Sequence, residues 1–198
     1  MSIKYLAVLL LSVCSLTVSA QKKKKAVAVK PAKKTLATGA SSTAEWFPTK
    51  TGTRFYVLSG PAKDTLFLKQ YEPKAVEPTE TAITEFTAKG VKLIAVSWKE
   101  NTLTKTDKRT ESGLSVQTRI FDPVSKTAVL ENTQSTVNIS EIVSLGGTEA
   151  TKTVQKIRSE GSECKVLPDG DVTLTAKGRM DRLSYDPKQG KYVVAKKK

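Results

Sequence analysis

In the segment Gly113-Leu-Ser-Val-Gln-Thr-Arg-Ile-Phe121, the side chains Leu114, Val116, Thr118 and Ile120 alternate with Ser115, Gln117 and Arg119. A repeat of two residues suits an extended strand with one buried face; a helix would repeat every 3.6. Val172, Leu174 and Ala176 alternate in the same way with Thr173, Thr175 and Lys177. Further pieces between turn signals read as strands at 54–58, 65–70, 82–87, 91–99, 128–133, 151–157, 163–167, 180–185 and 191–194. Leu93-Ile-Ala-Val-Ser-Trp98 is apolar on both alternating faces, which predicts a central strand covered on each side.

The turns have their own chemistry. Pro168-Asp169-Gly170, Lys89-Gly90 and Ser59-Gly60-Pro61 each place a glycine where a tight reversal needs positive φ. Ile120-Phe-Asp-Pro-Val-Ser-Lys126 and Ser184-Tyr-Asp-Pro-Lys-Gln-Gly-Lys191 share an aromatic followed by Asp-Pro. There Asp bonds the backbone ahead of it and Pro presets φ. One short helical turn is expected at 140–146, where Ser140 would cap and Gly146 would stop it. The fold class is therefore all-β, expected as an antiparallel β-sandwich, with a closed antiparallel barrel as the alternative. A transmembrane barrel is not expected, because strands of about 10 alternating residues and aromatic girdles are missing.

Residues 1–20 read as a secretory signal peptide: Lys4, an apolar stretch from Tyr5 to Leu16, then Val18-Ser19-Ala20 before Gln21. Leu11-Ser12-Val13-Cys14 departs from a lipobox at Val13, so lipidation of Cys14 is not expected. Cleavage would leave an exported chain, periplasmic or extracellular, with no membrane span and with Cys164 as its one thiol. An internal disulfide is then impossible, and the core alone must hold the fold. Cys164 alternates with Val166 and is expected to be buried and inert.

The formal net charge is +14, and it is concentrated at the ends. Lys22, Lys23, Lys24, Lys25, Lys30, Lys33 and Lys34 stand in a stretch without acids, and Lys196, Lys197 and Lys198 close the chain. Residues 21–44 lack aromatics and acids, so a disordered basic linker is expected before a single domain at 45–195 and a basic tail at 196–198. The seven leader lysines are the candidate contacts to an anionic surface such as acidic lipid or polysaccharide, at about 1 kcal/mol each. Nucleic acid is not expected: the leader has no Arg fork and no aromatic for stacking bases.

The chain contains no His. This removes Ser-His-Asp and Cys-His nucleophile pairs, His-ligated metals and His bases. Glu85, Glu131, Glu141 and Glu163 remain as carboxylates for glycoside cleavage, without a spacing that pairs any two of them. Asp169-Gly170-Asp171 is too short for a calcium loop, and Gly146-Gly147 lacks the Lys and helix start of a phosphate loop. No cofactor and no enzymatic activity are expected. Trp46 and Trp98 are the candidate aromatic contacts, with Phe47 beside the first; packing in the core is the competing role for all three.

The resulting expectation is a non-enzymatic envelope protein, a binding or structural module whose sheet face or edge meets a protein or glycan. Its alternatives are a carboxylate-dependent carbohydrate-active enzyme and a barrel that carries an apolar ligand.

Overall fold

A computed structural model describes residues 32–146 and 150–195 as thirteen strands. Residues 1–20, Lys22–Lys25, Lys30 and the tail at 196–198 lie outside this range. The first sheet contains β1 (Lys34–Thr38), β2 (Ser42–Thr49), β3 (Gly52–Ser59) and β4 (Asp64–Tyr71). The second contains β5 (Thr79–Ala88), β6 (Val91–Lys105), β7 (Arg109–Asp122), β8 (Thr127–Ser144) and β9 (Thr151–Gly161). The third contains β10 (Glu163–Val166), β11 (Val172–Ala176), β12 (Arg179–Asp186) and β13 (Lys191–Val194). Every pair is antiparallel and every sheet is an open meander in chain order. First and last strands do not meet, so the fold is a layered sandwich and not a barrel.

Two apolar clusters bind the layers. Trp46, Phe55, Val57, Leu66 and Leu68 of the first sheet pack on Ile94, Val96, Trp98 and Phe121 of the second. Leu93, Ala95, Ile120 and Val129 of the second pack on Val172, Tyr185 and Tyr192 of the third. Strand β6 thus sends alternate side chains into both clusters, as its apolar run requires. Cys164 packs against the second cluster beside Val166.

Turn chemistry sets the register. Thr87-Ala-Lys-Gly90 and Thr175-Ala-Lys-Gly178 each turn a hairpin, with positive φ at Lys89, Gly90, Lys177 and Gly178. Two consecutive residues with positive φ match the right-handed twist of the flanking strands. At the Asp-Pro turns, Asp122 accepts the Val124 N–H at 2.9 Å and Asp186 accepts the Lys188 N–H at 2.9 Å.

Two expectations are corrected. Strands begin at Lys34, eleven residues before the expected boundary at 45, because Leu36 and Ala37 find apolar cover on the first cluster. Their flanking lysines are neutralised by acids: Lys33 meets Glu45 at 2.6 Å and Lys34 meets Glu77 at 2.6 Å. The expected turn of helix at 140–146 is instead the end of β8, held by pairing of Ser140 with Gln155 and Ile142 with Thr153.

Candidate functional site

The stack has two outer faces, and they differ. On the third sheet, the outward side chains Glu163, Lys165, Thr173, Thr175 and Arg182 surround the exposed Met180, with Leu167 at the margin, and no aromatic ring lines this depression of about 480 Å³. On the first sheet, Phe47, Tyr56 and Phe67 form a row across β2, β3 and β4. Tyr56 stands directly opposite Phe67, and Phe47 opposite Arg54. Phe67 is 53% exposed and Phe47 36% exposed. With Arg54, Leu58 and Gln70 they line a shallow depression of about 500 Å³.

A β-bulge creates this arrangement. Phe55 pairs with Lys69 and Tyr56 with Phe67, leaving Leu68 as the extra residue. The bulge shifts the phase of β4, so that Leu66 and Leu68 face inward while Phe67 and Gln70 face outward. Lys69 and Tyr71 are turned toward the second sheet, where both bond Glu100.

A second depression of about 460 Å³ adjoins the first, and Leu58 lines both. Its wall carries Thr35, Ser41, Thr43, Glu45 and Lys63. Burial first, then a hydrogen bond to the Glu45 carboxylate and its negative charge, push the Tyr56 phenol up to about 12, so it stays a neutral hydroxyl.

The residues singled out from sequence fall elsewhere or in part. Trp46 and Trp98 are 6% and 1% exposed, inside the first cluster, and present no surface to a ligand. Their neighbours Phe47 and Phe67 are exposed, with Tyr56 half-buried between them; alternation along β2 points Phe47 outward because Trp46 points inward. Phe67 carried a signal in sequence, since Leu66-Phe67-Leu68 cannot all face one side. Of the seven leader lysines, Lys33 and Lys34 are in ion pairs and the other five lie outside the described residues.

Three of the four candidate carboxylates are engaged by donors or cations. Glu85 accepts from the Ser41 N–H at 2.7 Å and the Ser42 hydroxyl at 2.6 Å. Burial alone would raise its pKa, but those bonds outweigh it and hold the carboxyl below the usual range. Glu131 pairs with Arg119 at 3.4 Å, and Glu141 pairs with Arg109 at 3.8 Å. These two lie ten residues apart on β8, roughly 33 Å by strand rise. Glu163 is on the outer face of the third sheet. Asp169 and Asp171 both bond the Arg182 guanidinium, which occupies the position a cation would take.

Fold and surface together define a three-layer antiparallel β protein with one aromatic outer face. No protein-family model matches the chain, and no curated protein or solved structure matches it.

Proposed function

We propose that this chain is an exported, non-enzymatic binding module of the cell envelope that holds a glycan on the outer face of its first sheet. The observation that carries the reading is the pair of exposed rings Phe47 and Phe67, with the half-buried Tyr56 between them, beside Arg54 and Gln70. Flat aromatic rings offer apolar area at low entropic cost and match the C–H faces of pyranose rings. Arg54 and Gln70 supply the few polar groups that orient such a ligand. The opposite outer face has no comparable aromatic row. Against the opposing effect of burial, hydrogen bonds lower the pKa of Glu85, Glu100 and Asp171, so none of these three is poised as a protonated general acid. The leader lysines Lys22, Lys23, Lys24, Lys25 and Lys30 add a salt-sensitive attraction to anionic envelope surfaces.

Sedimentation of the full chain with insoluble envelope polysaccharide tests the reading. Phe67→Ala is expected to weaken retention about tenfold or more. Replacing Lys22, Lys23, Lys24 and Lys25 by Gln is expected to remove only the salt-sensitive part. Equal retention of Phe67→Ala would overturn the proposal.

A further inference from the structure

The middle sheet outruns the third. Strand β8 has 18 residues, whereas β10 has four and β12 has eight. The third sheet covers Leu93, Ala95 and Ile120. Further along the same face that cover ends: Leu114 and Ile142 are exposed, Leu103 is 72% exposed and Ile157 74%. Pairing fixes which side chains share this face, since Leu103 stands opposite Ser112, Ser112 opposite Asn138, and Asn138 opposite Ile157. Every alternate side chain on it is uncharged from Thr110 to Val116 of β7, from Gln134 to Ile142 of β8 and from Thr153 to Ser159 of β9. The reverse face of the same strands carries Arg109, Glu111, Glu141, Lys156, Arg158 and Glu160. Depletion of charge on one face of an otherwise charged sheet is what marks the core of a protein interface.

Size and symmetry identify the occupant as a second copy of the chain. With strands about 4.8 Å apart and residues about 3.3 Å apart, the face formed by the ends of β6 to β9 outlines roughly 19 by 26 Å, about 500 Å² on each copy. Two such faces bury about 1,000 Å², the lower end of what a specific interface needs. A two-fold contact sets a face against itself, so charge near the axis meets its own sign; between β7 and β9 this face has none to meet. Lys99, at its margin, is already held by Glu80 at 2.5 Å. Packed sheets lie about 10 Å apart, so the overhang of a second copy continues the layer in which the third sheet stops. We propose that the chain forms a two-fold dimer through this overhang, with Leu103, Leu114, Ile142 and Ile157 of each copy covered by the other. The aromatic face lies on the far side of each stack, so the dimer carries two such faces pointing apart.

Analytical sedimentation of the full chain under reducing conditions, from about 1 to about 200 µM, is the experiment. A monomer–dimer equilibrium is expected, with a dissociation constant in the micromolar range. Ile157→Glu and Lys156→Gln each lower the net charge by one, at adjacent exposed positions that point to opposite faces. Ile157→Glu is expected to raise the dissociation constant about tenfold or more, and Leu103→Glu, at the other margin of the face, to do the same. Lys156→Gln is expected to leave it unchanged. Because all three side chains are exposed, the circular-dichroism spectra of the dilute variants should match that of the unaltered chain. A chain that stays monomeric throughout overturns the proposal. So does a dimer that neither glutamate weakens, or one that Lys156→Gln weakens as much as Ile157→Glu. No sugar enters the measurement, so these failures leave the glycan reading standing, and equal polysaccharide retention by Phe67→Ala leaves the dimer standing.

Discussion

Trp98 donates its indole N–H to Oε1 of Glu100 at 2.8 Å, two residues further along β6 on the same face. The Tyr71 hydroxyl reaches the same oxygen at 2.6 Å, and Lys69 meets Oε2 at 2.7 Å. One carboxylate thus ties the end of the buried core of β6 to β4 across the gap between two sheets. Burial alone would raise the Glu100 carboxyl, but the bonds from Lys69, Tyr71 and Trp98 outweigh it and lower the pKa.

Glutamine in place of Glu100 keeps one acceptor oxygen but loses the charge, and its NH₂ group sets a donor against a donor where the second oxygen met its partner. Glu100→Gln is expected to cost about 2 kcal/mol, read as a lower urea midpoint with an unchanged slope. The Trp98 fluorescence maximum should move in the same variant.

Acid should weaken the fold by the same chemistry. Glu85, Glu100 and Asp171 have folded-state pKa values below their ordinary values near 4.5, 4.5 and 3.8. A depressed folded pKa contributes stability that is present above the unfolded value and lost as pH falls through the folded one. Urea midpoints are therefore expected to fall below about pH 4.5. In Glu100→Gln that acid slope should be shallower.

Two glycines with nearly equal backbone angles should respond unequally. Gly170 has φ +83° and an added Cβ would stand 2.5 Å from the Thr87 carbonyl oxygen; Gly178 has φ +81° and open space around it. Gly178→Ala is expected to cost about 1–2 kcal/mol from the left-handed conformation alone. Gly170→Ala adds a backbone clash and should cost about 3 kcal/mol or more by thermal melting.

Burial pushes the Cys164 thiol up to about 11. At pH 8 little thiolate forms, so iodoacetamide should label the folded chain at least about 100-fold more slowly than the urea-unfolded chain.

The Arg182 guanidinium already bonds Asp169 and Asp171, and these bonds raise its pKa. Millimolar calcium is accordingly expected to leave the melting temperature unchanged. Arg182→Ala should lower it, because Asp171 then keeps a nearly covered carboxylate without its cation.

Much of the fold was legible because half-buried strands advertise themselves by alternation. The run from Leu93 to Trp98 announced a middle layer, and the glycine and Asp-Pro turns announced their hairpins. Where neither face is apolar, that signal is silent. The far portions of β6 and β8, such as Asn101–Lys105 and Thr133–Ser140, extend as strands by pairing with their neighbours and carry little hydrophobic pattern. Strand β2 was hidden by Pro48, which the sheet tolerates because β1 pairs only as far as Trp46 and so misses no bond from that position. The site was less legible still, since Glu45 and Tyr56 are unremarkable in sequence and their meeting depends on register.

The amino-acid order alone determined the backbone class, the turn positions, the central strand and the exclusion of histidine chemistry, since each follows from local steric and polar preferences. Tertiary structure decided which aromatics face water and how β4 shifts phase at Leu68. Those properties arise from contacts between strands distant in the chain, where burial is set by the packing of whole sheets.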